Sequence, residues 1–369
     1  MKKSIELKKA IIILLLPIAI LLINLASLSP NLVEHIYSRV IYKFISQVIS
    51  FLFGWIPFSV GEIAIILFIP FAIVMVIRAV IKIIKGSSNR GRLVLNYLLN
   101  VLVLVSIVYF TFVLTWDLNY QRFPFSKISG LDVRPASVNE LYVVCDSIMR
   151  HTNELRLKVK EDSKGVMTLS NNLSETLKKA TNGYTVASKT YPELGGSYST
   201  PKGVIFSVVM SYMGIQGIHN PLTQEANINI DIPQCMIAST ACHEMAHQHG
   251  FAREDEANYI SYLTCGKNTD VDFHYSGELL ALIHCMNALY QADLNKFNQL
   301  YAVYNAGILR DLTANSQYWK RFSGPVEYIN SAINDAYLKA NLQKDGEKSY
   351  GRVVDLLIAQ YRKYGAEGL

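Results

Sequence analysis

The sequence predicts a membrane-anchored α+β protein, with three N-terminal transmembrane helices followed by a mostly helical exported domain that carries a small sheet. Three apolar runs, Ile11 to Leu28, Ile63 to Ile84 and Leu93 to Trp116, are each long enough to cross a bilayer. From Asp117 onward no run of that length recurs, and amphipathic helical patterns flank a short alternating stretch. Residues 1–116 are therefore assigned to the membrane part, 117–133 to a linker and 134–369 to the exported domain.

Basic residues set the orientation. Lys2, Lys3, Lys8 and Lys9 precede the first run, and Lys82, Lys85, Arg90 and Arg92 lie between the second and third, with Arg78 at the edge. By the positive-inside rule these two segments share the cytoplasmic side, so three spans leave the C-terminal domain outside. The first run also reads as a signal sequence, although no small-x-small cleavage site follows it. Ser29 to Gly61, apolar but broken by Gly54, Pro57 and Gly61 and carrying Trp55 and Phe58, reads as an interfacial or re-entrant segment, with a fourth span as the alternative. The net charge of +6 partly reflects this asymmetry and implies no nucleic-acid partner; the partner it implies is the lipid bilayer. Spans almost free of internal charge offer no polar pathway and argue against a transporter.

In the exported part, "SVNELYVVCDSIMRHTNELRLKV" is amphipathic, with a Ser start and a Glu three residues on, the pattern of a capping box. "KGVIFSVVM" is expected to be a strand. "EANINIDIP" alternates strictly, with Ala226, Ile228, Ile230 and Ile232 on one face and Glu225, Asn227, Asn229 and Asp231 on the other. After Pro233, Gln234 to Gln248 has helical composition and ends at Gly250, suited to a helix C-terminus. The five cysteines, Cys145, Cys235, Cys242, Cys265 and Cys285, show no C-x-x-C spacing, and their odd number leaves at least one thiol out of any disulfide set; most are expected to be small buried residues.

The chemistry is concentrated in "CHEMAHQHGFAREDEANYISYL". On a helix His243 and His247 lie one turn apart on one face, the spacing that lets two imidazoles hold one zinc ion. Glu244 projects beside that face, where a carboxylate can take a proton from a zinc-activated water. With 8 histidines in 369 residues, H-E-x-x-H arises by chance in roughly one such chain in a hundred. A third ligand is needed, and Glu254, Asp255 and Glu256 arrive directly after the turn at Gly250. Arg253 cannot bind a metal, and His249, two residues past His247, faces away.

HEMAH followed by Glu254-x-x-Ala257-Asn258 resembles the gluzincin-type zinc metallopeptidases. Together with "GWIPFSVG", "NPLTQEANINIDIP" and "YLKANLQKDGEKSYGRVVDLL", it resembles more closely a bacterial family of multi-span membrane proteins known only as a domain of unknown function. The resemblance implies a zincin-like fold for 134–369 and a bacterial cytoplasmic (inner) membrane location, with the N-terminus cytoplasmic. It favours Glu254 as third ligand, with Asn258 supporting a ligand histidine; Glu256, which shares a face with Ile260 and Leu263, is the alternative. In zincins the strand before the metal helix offers its edge to an extended peptide, which would make Asn227 and Asn229 substrate-edge residues. Donors for the developing oxyanion are sought in His274, Tyr275 and Tyr350.

The expected activity is zinc-dependent hydrolysis of a peptide or protein on the extracytoplasmic side, with Glu244 as general base. The alternative is a non-catalytic envelope sensor or assembly factor with a structural or vestigial metal site. Glu244 speaks for the enzyme, since a structural zinc site needs no free carboxylate beside it. One zinc ion is the expected cofactor, although a His-His-carboxylate set also accepts other divalent metals.

Overall fold

The computed structural model describes residues 2–85, 89–341 and 343–366, the side chains of 2–5 excepted, so that Lys2 and Lys3 of the first basic cluster lie outside the described side chains. The N-terminal third is helical. Helices α1 (Lys2–Ile13) and α2 (Leu15–Leu28) form one apolar rod interrupted at Leu14. Helix α3 covers Pro30–Gly54, α4 Val60–Lys85 and α5 Arg90–Thr115. By length and composition Glu6–Leu28, Pro30–Gly54, Val60–Lys85 and Arg90–Thr115 are all apolar enough to cross a membrane, which is the composition of a membrane protein.

Contacts fix how these helices run. Lys9 donates to Asn96 at 2.6 Å and Arg92 faces Glu6 at 3.9 Å, so the α1–α2 rod lies parallel to α5. At the other end of α5, the Tyr37 hydroxyl donates to the Leu114 carbonyl at 2.9 Å. Helix α3 differs from the rest. Glu34, Ser38, Tyr42, Ser46 and Ser50 recur every four residues and are buried, whereas Ile36, Val40, Phe44, Val48 and Phe51 are exposed. A period of four exceeds the 3.6 of an α-helix, and the π-helical stretch Val33–Tyr42 absorbs part of the drift. The buried stripe bonds to the C-terminal body: Ser38 to Asn119, Tyr42 to Gln224 and the His247 carbonyl, Ser50 to Ser199. The breaks expected at Gly54, Pro57 and Gly61 are thus confined to a short connection over 55–59 after an unbroken helix.

Residues 117–133, assigned to a linker, are packed into the fold. They hold a 3₁₀ turn, Asp117–Gln121, and one helical turn, Phe125–Ser129, with Leu118, Tyr120 and Phe125 buried. Arg122 pairs with Glu34 of α3 at 2.9 Å and donates to the Gly250 carbonyl at 3.0 Å, joining membrane part, connector and C-terminal body.

The body is mostly helical. Helix α6 (Val138–Arg156) starts on the expected capping box of Ser137 and Glu140. A hairpin of β1 (Lys160–Glu161) and β2 (Met167–Thr168) leads to α7 (Leu173–Ala187). Then come β3 (Lys202–Gly203), α8 (Ser207–Tyr212), β4 (Gly217–Asn220) and β5 (Glu225–Ile228). Helices α9 (Gln234–Gln248), α10 (Glu254–Gly266) and α11 (Val271–Ala292) form the centre. Helices α12 (Leu294–Tyr301), α13 (Ala306–Phe322), α14 (Pro325–Ala340) and α15 (Val353–Tyr364) close the fold. One apolar core runs through α6, α7, α9, α10, α11 and α15. All five cysteines lie in the body, buried and unbridged.

Two strand expectations need correction. "KGVIFSVVM" is a strand only over Lys202–Gly203, because the Glu62 carboxylate takes the Ile205 and Phe206 N–H groups at 3.0 and 2.7 Å and the chain turns into α8. "EANINIDIP" is a strand only over Glu225–Ile228, and every residue in it is buried. The sheet order is β3-β5-β4, with β3 parallel and β4 antiparallel to β5. Both edges of β5 are therefore paired, and Asn227 and Asn229 do not stand at a free edge. Their alternation reflects buried polar bonds instead: Asn229 donates to Ser211 and the Ile215 carbonyl, and Glu225 pairs with Lys202 at 2.7 Å.

Candidate metal centre

Helices α9 and α10 meet at a tight turn that brings the expected site together. Gly250, at φ 82°, provides the left-handed turn after α9, and a Cβ there would lie 2.7 Å from the Tyr42 ring. Three residues later Arg253 precedes α10, whose first residue is Glu254. The Glu254 Oε2 atom lies 3.2 Å from His243 Nε2 and 3.4 Å from His247 Nε2, and the two imidazole nitrogens are 3.1 Å apart.

The protons of these rings can be placed. His247 Nδ1 is 2.7 Å from the Phe251 carbonyl, which only accepts, so Nδ1 donates. His243 Nδ1 is 2.8 Å from Asn258 Oδ1, and the Asn258 amide is oriented by donating its Nδ2 to the Tyr350 carbonyl. In their neutral forms both rings thus carry their proton on Nδ1, which leaves both Nε2 atoms, beside the Glu254 carboxylate, to bind a cation. Ligand atoms held ~2.0–2.1 Å from a tetrahedral ion are about 3.3–3.4 Å apart, close to the three separations found here. Two imidazole nitrogens and one carboxylate oxygen also form a donor set suited to zinc.

The electrostatics agree with a site built for positive charge. Burial opposes the His247 cation, yet the adjacent Glu254 carboxylate pushes its pKa up to about 9. Burial likewise works against ionised Glu254, but His247 and His243 hold it well below the carboxylate range. Glu244 is buried beside them, and here burial prevails and raises the pKa, with the imidazoles and the His219 backbone N–H pulling the other way. Its carboxylate sits against β4: a Cβ on Gly217 would come within 2.6 Å of Glu244 Cγ and Oε1.

A family model described as Protein of unknown function (DUF3810) matches residues 37–358. The chain belongs to that family. No curated protein and no solved structure matches it. The DUF3810 match runs from α3 into α15 and so takes in His243, His247 and Glu254 and three of the apolar helices.

The other candidate residues of this DUF3810 chain separate into two groups. Asn258 stands behind His243, and Tyr350, half-buried, has its pKa raised by loss of hydration and by the nearby Glu254 and Glu244 charges. His274 and Tyr275 are elsewhere: the first bonds the Asn268 carbonyl and the second donates to Asp311, so neither faces the cluster as a donor. Glu256 is no neighbour of the imidazoles either. Its Oε1 accepts the Phe125 N–H at 2.9 Å and pairs with Arg253 at 3.0 Å, which ties the connector to α10.

Sequence reasoning missed three groups at the site. Trp116, at the end of α5, packs its ring 5.3 Å from His247 and 5.1 Å from His219. Its indole donates to the Tyr337 hydroxyl at 2.9 Å, which brings α14 to the cluster. His219, on β4, is buried and neither ring nitrogen completes a hydrogen bond; burial and the neighbouring His247 hold its pKa well below the usual histidine value, which the Glu225 carbonyl only partly opposes. A lone histidine in "GIHNP" carries no spacing signal, and Trp116 reads in sequence only as the end of the third apolar run.

Proposed function

We propose that this chain is a membrane-anchored, zinc-dependent peptidase that hydrolyses a peptide or protein at the outer face of the cytoplasmic membrane. The observation that carries the reading is the pair of histidines whose Nδ1 atoms are both committed to acceptors while their Nε2 atoms converge with a carboxylate, with a second, unligated carboxylate alongside. His243, His247 and Glu254 would hold the ion, which supplies Lewis acidity and lowers the pKa of a water that it binds. Asn258 and the Phe251 carbonyl keep the imidazoles in the ligating tautomer. Glu244, oriented by the His219 N–H and pressed on Gly217, accepts the proton of the attacking water and delivers it to the leaving amine. Its raised pKa suits a group that must both take and return a proton. Strand β4, paired on one side only, runs beside Glu244 and is the edge on which an extended substrate would lie, with Tyr350 and His219 as neighbouring donors.

In this reading Glu6–Leu28, Val60–Lys85 and Arg90–Thr115 are the spans and α3 lies at the membrane surface. Supporting it, α3 meets the C-terminal body from its third turn to its end: Arg39 pairs with Glu193, Tyr42 bonds the His247 carbonyl, and Gly54 packs on Ser199. A helix that keeps to the same domain over most of its length does not cross a bilayer. The test is metal analysis of the purified full-length protein: about one zinc per chain is expected in the wild type, retained in Glu244→Gln and lost in His243→Ala. A folded wild type without stoichiometric divalent metal overturns the proposal.

A further inference from the structure

Two helices outside the apolar N-terminal third are inside out. On α14, Glu327, Asn330, Ser331, Asn334 and Asp335 turn toward the protein, while Val326, Tyr328, Ile329 and Ile333 are exposed, Tyr328 by 77% and Ile333 by 64%. The inward groups are engaged: Asn330 donates to the Met213 carbonyl, and Ser331 and Asn334 donate to Glu347. On α8 and the turn before it, Ser207 and Ser211 are buried while Ile205, Phe206, Val209 and Tyr212 are half exposed or more. A helix bathed in water presents the opposite pattern. Exposed apolar surface on this scale marks a binding surface.

Both faces adjoin the apolar helices. Glu62, in the first turn of α4, holds the Ile205 and Phe206 N–H groups, and Gly61 packs on Asn220 of β4. On α14, Val326, Ile329, Ile333 and Tyr337 form one helical stripe, and Tyr337 at its end packs on Phe112 of α5 with ring centroids 6.5 Å apart. The Asn330 bond to Met213 joins the two faces into one surface. That surface ends at Tyr337, against the Trp116 ring that covers His247.

We propose that the exposed faces of α8 and α14 rest in the outer leaflet of the bilayer that holds the spans, so that the cleft beside β4 opens at the membrane surface. Lys320 and Arg321, in the last turn of α13 just before α14, sit where anionic headgroups would meet an immersed helix. Resting on the peptidase reading, the substrate is then a polypeptide segment that the membrane itself presents, such as the stretch leaving a span. The membrane contact stands independently of that reading.

The test is spin-label accessibility in full-length protein reconstituted in phosphatidylethanolamine–phosphatidylglycerol nanodiscs, with single cysteines introduced at Val209, Ile329 and Ile333. Ile69 in the middle of α4 serves as the lipid reference and exposed Lys178 on α7 as the aqueous reference. Collisions with oxygen should exceed those with a water-soluble nickel chelate at all three sites, as at Ile69. Water-like ratios at all three, or at the α8 site or the α14 sites alone, overturn the proposal, because the cleft would not then open on the bilayer. Zinc content is read on the same samples: lipid-like labels without zinc leave the surface in place and remove the peptidase, whereas zinc with water-like labels does the reverse.

Discussion

Glu254, Glu244 and Glu256 lie within thirteen residues of chain, yet the fold gives them three different tasks, and substitution separates them. In the proposed site Glu254→Gln removes a charged ligand, so zinc affinity should fall by orders of magnitude, and the melting temperature with it, since an ion that binds only the native state stabilises it. Glu244→Gln should leave zinc content unchanged. Glu256→Gln should also keep the metal, but it removes the charge that faces Arg253 inside the structure; a cost of about 1–3 kcal/mol in thermal or denaturant unfolding is expected. That exceeds what a surface helix cap contributes, the role that its position in the first turn of α10 suggests. Asn258→Ala should weaken metal binding about 10–100-fold by freeing the His243 ring, measured by competition with a chelator. Metal loss from Glu256→Gln with retention in Glu254→Gln would show that the carboxylates have been assigned the wrong way round.

At the scale of elements, the close approach of β4 to α9 depends on a residue without a side chain. Gly217→Ala places a Cβ 2.6 Å from the Glu244 carboxylate, and either the strand or the glutamate must move. Overpacking of this kind should cost about 1–3 kcal/mol, read as a lower melting temperature. An unchanged melt would mean that the strand yields freely and does not orient Glu244. The same scale explains where strand reading failed. Alternation in "EANINIDIP" ordinarily signals one wet face, but β5 lies between two strands with α9 packed on the sheet, and Glu225 within it and Asn229 just after it find partners indoors. Only the neighbours reveal this, because a buried, bonded Asn and a solvated one are the same letter.

For the whole molecule, the proposed arrangement of three spans with α3 at the surface would place the C-terminal body outside. A reporter active only outside the cytoplasm should work when fused after Leu369 and fail when inserted within 86–91; the reverse pattern would overturn the orientation. Removal of zinc by a strong chelator should lower the melting temperature of the full chain in detergent, and added zinc should restore it in a concentration-dependent way. No response in either direction would count against a metal bound by the native state.

The sequence by itself determined what depends on short-range spacing. The long apolar runs, the capping box at Ser137, the helix carrying His243 and His247 and its end at Gly250 are all set within a few turns of backbone, where composition and period decide. Tertiary structure decided which groups meet across the chain. It set Glu254 rather than Glu256 beside the imidazoles, sent His274 and Tyr275 to other partners, and brought Trp116, His219 and Tyr337 from three distant segments to one wall. It also turned the polar stripes of α3 and α14 inward. The physical reason is that a hydrogen bond or an aromatic contact depends on distance in space and has no sequence period, so residues 100 or more positions apart leave no local trace of the pairing.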